Sequence, residues 1–449
     1  MSDEDVDAVV RAVRERIDPG PDERARLEAA VDRLVERTKA AIADLSVDAD
    51  VVQVGSTARG TWTSGDRDID LFVRFPADLS RERLETYGLR VGNEVLPDGR
   101  EEYAEHPYVN GEFDGFTVDL VPCYDVDSAA AIRSAVDRTP FHNRYLAERL
   151  DGLTADVRLL KQFLKGVGAY GSDLRTEGFS GYLTELLVLE YGGFREVLAA
   201  AADWHPPVRL DPEDHGEASF DDPLVVVDPT DPERNVAAVV SATNVARLQH
   251  YAREFLADPR EELFFPNPLE PLSPADVRRH VARRDTTPIA VRFDPPDLVD
   301  DQLYPQLRKS RAGLVRGLEG HGFEVLRSAA FADETAVLLV ELAGADLPAV
   351  ERHDGPPVHV REHAAGFYDK YADADAYGPF IHDGRYVVER DREVTTARAF
   401  VADRLFDVSL GADLERALEA GYDVLVGEEI GALADEFGAD LAAYFSPSP

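Results

Sequence analysis

The spacing of apolar positions divides the chain into helical and alternating stretches. Residues 3–17 and 22–44 have helical spacing on either side of Asp18-Pro19-Gly20-Pro21, a run that breaks a helix. In the second, Leu27, Val31, Leu34 and Val35 recur with charges between them, which predicts an amphipathic helix lying on a sheet. Val51, Val52 and Val54 form a short strand that runs into Gly55-Ser56. The next stretch, GSTARGTWTSGDRDIDLFVRF (55–75), reads as turn, short helix, loop and strand. Alternation in that strand sets Asp68, Asp70 and Phe72 on one face and Ile69, Leu71 and Val73 in a core. After a helix near 80–95, the segment FDGFTVDLVPCY (113–124) puts Thr117, Asp119 and Val121 on one face and Val118 and Leu120 on the other. Asp119 can therefore point from a neighbouring strand towards Asp68 and Asp70.

Residues 142–200 read as helical, with Val157, Leu160, Phe163, Leu164 and Val167 at core spacing and Lys161 and Lys165 on one face. VVVDPTDPERNVAAVVS (225–241) predicts a buried strand, a proline-broken turn and a helix starting near Asn235. The proline cluster at 266–275 marks a boundary. Beyond it, 287–390 mixes strand patterns with a helix around 302–321, and 393–445 reads as a final helical run. The expected fold is α+β and multidomain: a mixed-sheet head (1–141), a helical neck (142–265), a body (266–286 and 391–449) and an α+β tail (287–390).

Composition narrows the setting. The formal net charge is −39, from 48 basic and 87 acidic residues, and only five of the basic residues are lysine. An acidic chain of this kind would repel nucleic acid at low salt. Because the acids are spread along a chain that is 44% hydrophobic, disorder is not implied, and the charge fits adaptation to molar salt, where repulsion is screened over a few ångströms. No apolar stretch is long enough to span a bilayer and the N-terminus is acidic, so a soluble cytoplasmic protein is expected. The single Cys123 excludes an internal disulfide and a cysteine zinc cluster.

Two carboxylates side by side on an apolar strand are costly without a cation, and hard oxygen ligands suit Mg²⁺. With Asp119, Asp68 and Asp70 form a candidate two-metal platform. Gly55-Ser56 reads either as a tight turn with a helix cap or, with Arg59 one turn along, as a triphosphate cradle. Lys161 suits a phosphate, since a compact ammonium persists where arginine is otherwise preferred.

GSTARGTW, DRDIDLFVRF and TVDLVPCY together resemble the polymerase beta-type nucleotidyltransferase superfamily. TPFHNRYL, RLLKQFLKGVGAYG, GFSGYLTELLV and VVDPTDPERNVAAVVS extend the resemblance to the archaeal, class I CCA-adding tRNA nucleotidyltransferases. The resemblance implies template-independent building and repair of the tRNA 3′-terminal CCA from CTP and ATP, with tRNA and a second copy of the chain (a homodimer) as partners. It implies that Asp68, Asp70 and Asp119 are the catalytic and Mg²⁺-binding carboxylates, with aspartate at 68 where relatives often have glutamate, and that Asp119 also assists the RNA hydroxyl. By the same resemblance Ser56, Arg59, His142, Lys161 and Tyr170 bind the nucleotide, and Arg234 reads the nucleobase edge. Arg234 is equally readable as an arginine that holds the DPTDP turn. Arg308, Arg311 and Arg316, on one helix, are candidates for RNA backbone contact. The rival readings are a poly(A) polymerase or oligoadenylate synthetase-like enzyme and an RNA-binding protein with a decayed site.

Overall fold

The computed structural model describes residues 3–103, 105–216 and 218–449, in two compact units, 1–267 with Pro449 and 268–448. In the first, α1 (Asp3–Ile17) and α2 (Pro21–Ala43) stand where the periodicity puts them, with Pro21 at the first turn of α2. They lead to β1 (Asp50–Val54), the one-turn α3 (Gly55–Arg59), β2 (Asp68–Pro76) and α4 (Arg81–Val95). Next come β3 (Arg100–Tyr103), β4 (Pro107–Phe113) and β5 (Phe116–Asp125), and the five strands order as β1-β2-β5-β4-β3. β2 and β5 are parallel while the other neighbours are antiparallel, so the sheet is mixed. Its hydrophobic face (Ile69, Leu71, Val73, Phe75, Val118, Leu120) packs on Leu27 and Leu34 of α2 and Leu84 and Val91 of α4. The opposite face holds a small cluster of Val54, Phe72 and Cys123, where burial pushes the Cys123 thiol up and leaves it inert at neutral pH.

Four helices follow: α5 (Thr139–Ala147), α6 (Thr154–Gly166), α7 (Gly181–Tyr191) and α8 (Phe194–Ala202). Edge-on contacts of Phe163 with Phe194, Phe255 and Phe264 knit their core at centroid separations of 5.4–5.9 Å. A small sheet of β6 (Val208–Leu210), β7 (Leu224–Asp228) and β8 (Asp231–Asn235) precedes α9 (Ala242–Ala257). The helix expected from Asn235 is absent: Asn235 ends β8, and its carboxamide accepts from the backbone N–H of Val226 and Ala237, both at 2.9 Å. Those bonds fix a hairpin, and the helix begins only at the Ser241 cap.

In the second unit, α10 (Pro274–Arg284), β9 (Thr287–Phe293), α11 (Asp300–Gly320), β10 (Val325–Ala332) and β11 (Ala336–Leu342) come first. β12 (Val350–Pro357), α12 (Arg361–Tyr371), β13 (Tyr377–His382) and β14 (Arg385–Asp391) form a separate three-stranded sheet with its helix. The chain ends in α13 (Ala397–Arg404), α14 (Ala412–Ala420), β15 (Asp423–Val426) and α15 (Ala434–Phe445). The final run is thus not wholly helical, because DVLV pairs antiparallel with β9 to complete the order β10-β11-β9-β15. β11 is buried on both faces, Leu338 and Val340 against Leu307 and Leu314 of α11, and Val337 and Leu339 against Val277 of α10 and Phe437 of α15. Burial on both faces explains why it reads as the unbroken run AVLLVEL. No described helix is long and apolar enough to cross a membrane.

Candidate active site

Hydrogen-bond register puts the aspartates together. β1 pairs Val54 with Asp70, and β2 pairs Asp70 with Asp119 and Asp68 with Thr117, so Asp70 and Asp119 are direct neighbours on adjacent strands. Burial, then the charges of Asp119 and Asp68, push the Asp70 carboxyl up to about 6, against the pull of Arg59 and Lys161. Asp119 is also raised, chiefly by burial, although Asn110 of β4 donates its amide to Oδ1 at 2.7 Å. Among the described residues no group of three acids, histidines or cysteines closes into a metal cage. Even so, Asp68 and Asp119 both disfavour the charge on Asp70, and oxygen donors placed in this way are what a hard divalent cation would neutralise, so the donor set fits one.

Gly55 lets the strand turn into α3 against this carboxylate. Its φ is +77°, and a Cβ there would lie 2.0 Å from Asp70 Oδ2. Gly55→Ala therefore incurs both the left-handed backbone cost and a clash with a fixed carboxylate, and its denaturant midpoint should report a loss of about 2 kcal/mol or more. An unchanged midpoint would mean that the turn adapts freely. Ser56 follows on the same turn, partly buried.

Arg59, at the end of α3, is nearly buried. It donates Nε to Glu185 Oε1 at 3.0 Å, Nη2 to Glu185 Oε2 at 2.7 Å and Nη1 to Asn143 Oδ1 at 2.8 Å. Glu185 projects from α7 and also accepts from Thr61 Oγ1 at 2.5 Å, so one carboxylate ties the short helix α3 to α7. On α6, Lys161 and Lys165 do share a face. Both reach Asp66, at 3.4 and 3.1 Å, beside the Tyr170 ring, whose centroid lies 5.8 and 5.4 Å from the two ammonium nitrogens. Burial lowers the Lys161 pKa, and Asp66 works against that. Asp66 itself stays below the usual carboxylate range despite burial, because of Lys161 and the Thr63 backbone N–H. Burial raises the Tyr170 phenol.

His142 and Arg234 meet elsewhere, on Asp228 at the end of β7. His142 Nε2 and Arg234 Nη1 each lie 2.8 Å from Asp228 Oδ2. The other oxygen accepts from the Thr230 N–H and hydroxyl at 2.9 Å and from the Tyr182 hydroxyl at 3.3 Å. His142 also stacks on Tyr182 at 4.0 Å. These donors, His142 first, depress the Asp228 pKa although the residue is fully buried. Sequence reasoning missed Asp66, Asn110, Glu185 and Asp228. Glu185 and Asp228 left a signal, a single acid inside the apolar runs LTELLVL and LVVVDP.

Three family models cover most of the chain: a nucleotidyltransferase domain at 35–142, a tRNA nucleotidyltransferase second domain at 155–265 and a CCA-adding enzyme C-terminal domain at 284–427. The CCA-adding enzyme of Haloarcula marismortui is 63% identical over the whole of both chains. The chain belongs to the CCA-adding enzyme family. That of Halobacterium salinarum is 66% identical over 99% of each chain, and that of Methanosarcina barkeri 44% over 92% of each. The resemblance drawn from the motifs at 55–75, 117–124 and 139–241 is borne out, and the chain is an enzyme, a CCA-adding nucleotidyltransferase. Its nucleotidyltransferase domain holds Ser56, Arg59 and the three aspartates and ends at His142, while the second domain holds Lys161, Tyr170 and Arg234.

Proposed function

We propose that the chain completes and repairs the 3′-terminal CCA of tRNA from CTP and ATP without a template, releasing diphosphate. The observation that carries this reading is the parallel register of Asp70 against Asp119, with the Gly55 turn set on Asp70 and the Lys161 charge reaching it. Asp68, Asp70 and Asp119 would hold Mg²⁺, which when bound activates the attacking hydroxyl and neutralises charge on the leaving diphosphate. Asp119, its Oδ1 held by the Asn110 amide, receives the proton of the tRNA 3′-hydroxyl. Lys161 and Lys165, both paired with Asp66, stabilise the diphosphate as it departs, with Ser56 and Tyr170 at the triphosphate and sugar. Arg59 acts from a fixed position, its charge felt at Asp70 while three of its donors are held by Glu185 and Asn143. His142 and Arg234 face the nucleoside, Arg234 reading the base edge.

Every tRNA must be accepted, so binding is by backbone and shape, with Arg308, Arg311 and Arg316 of α11 as phosphate contacts. The charge of −39 points to a cytoplasm rich in salt, where the enzyme works as a homodimer. The test is incorporation at molar KCl with Mg²⁺, CTP, ATP and tRNA lacking its terminus. Addition should stop after C, C and A. Open-ended adenylation, or no incorporation into tRNA, would refute the reading.

A further inference from the structure

We propose that Asp228 is a positioning residue that sets nucleotide selectivity by fixing the Arg234 guanidinium and the His142 ring on one carboxylate oxygen. The inference rests on the reading of Arg234 as the residue that meets the nucleobase. Asp228 is fully buried at the end of β7, yet it accepts from five donors on four separate residues: His142 on α5, Tyr182 on α7, Thr230 in the turn and Arg234 on β8. β8 and its turn are already paired with β7, so what the carboxylate adds is the attachment of α5 and α7, through His142 and Tyr182, to that hairpin. Oδ1 is saturated by Thr230 and Tyr182, which locks the plane of the group, and Oδ2 then serves Arg234 and His142 together, both at 2.8 Å. Tyr182 closes the arrangement by stacking on the His142 ring at 4.0 Å and 15°.

The consequence follows from what arginine can and cannot do. A guanidinium carries five donors and no acceptor. With one Nη1 N–H given to Asp228 and the side chain still 36% exposed, the guanidinium is tethered at one end and keeps donors for a base edge. A fork fixed in this way accepts a base edge that presents acceptors, the N3 and O2 of cytosine or the N1 of adenine. It opposes the N3–H of uracil and the N1–H of guanine. An untethered arginine would turn to suit any of the four, so discrimination depends on the anchor as much as on Arg234.

Asp228→Asn keeps the volume but replaces one acceptor oxygen by an amide that donates. It should raise KM for CTP and ATP and cut the kcat/KM preference for CTP over UTP and for ATP over GTP by roughly tenfold or more, with a smaller change in kcat. Arg234→Lys should lose the same preference, and the double variant should lose no more than either alone. Thr230→Ala, which removes only a hydroxyl at Oδ1, should shift the preference by about threefold in the same direction, and it decides the matter if Asp228→Asn fails to fold. Two results overturn the assignment: preference within twofold of wild type in the folded variant, or an equal loss of turnover for all four nucleotides. A wild-type enzyme with no preference for CTP over UTP would instead overturn the nucleobase-reading function beneath it.

Discussion

Asp70→Asn should abolish nucleotide incorporation while making the metal-free chain harder to melt. The catalytic half follows from its place between Asp68 and Asp119. Removing one charged oxygen ligand from a three-carboxylate platform should lower turnover by roughly a thousandfold or more. The stability half follows from the raised carboxyl. Its pKa is about 6 in the folded chain against an ordinary 3.8, so between those pH values the folded state binds more protons than the unfolded state. Stability therefore falls as pH rises through this window, and the full penalty, roughly 3 kcal/mol, is present above it. Asparagine carries no such penalty. In EDTA at pH 8 the variant should be the more stable by up to that amount, and the gap should shrink to about half at pH 5. Adding Mg²⁺ should raise the melting temperature of wild type and leave the variant nearly unmoved, because only the former gains binding energy in the folded state. A variant that keeps its activity, or one that melts below wild type in EDTA at pH 8, contradicts the metal platform.

The parts of this site that could be read from the sequence follow from strict local periods. Period-two alternation in IDLFV and TVDLV fixed the faces of Asp70 and Asp119 before any pairing was known, and helical period put Lys161 and Lys165 together. Pairing itself is non-local. Nothing in 100–113 announced β3 and β4, whose interleaved charges and glycine hide the alternation, and so the Asn110 amide on Asp119 could not be foreseen. Side-chain bonds also overruled backbone propensity. Asn235 spends its carboxamide on Val226 and Ala237 and so ends a strand where the alanine-rich sequence after it suggested a helix. DVLV was too short to stand out between helices and became a strand only because β9 offered an open edge. The acids that hold the cations in place, Asp66, Glu185 and Asp228, are three among 87, which is why composition obscured them.

Glu185 carries the largest structural consequence among those acids. Its side chain is 2% exposed and that of Arg59 8%, and the pair is bidentate, with Thr61 as a third donor. Glu185→Ala leaves the guanidinium buried with Asn143 as its remaining partner among the described residues, and removing one member of a buried pair costs about 3–5 kcal/mol. Both tryptophans, Trp62 and Trp204, lie in the first unit, so fluorescence during denaturant unfolding in molar KCl follows the part of the chain that contains the pair. Glu185→Gln keeps one acceptor but turns an amide donor towards the guanidinium, and should fall between wild type and alanine. The double variant Arg59→Met with Glu185→Leu removes both charges and should recover most of the lost stability, since an apolar pair of similar volume replaces an ion pair at little net cost. It should not recover activity, because the charge of Arg59 beside Asp70 is gone with it. A loss below about 1 kcal/mol for Glu185→Ala would show that water screens the pair and that α7 does not hold α3 in place.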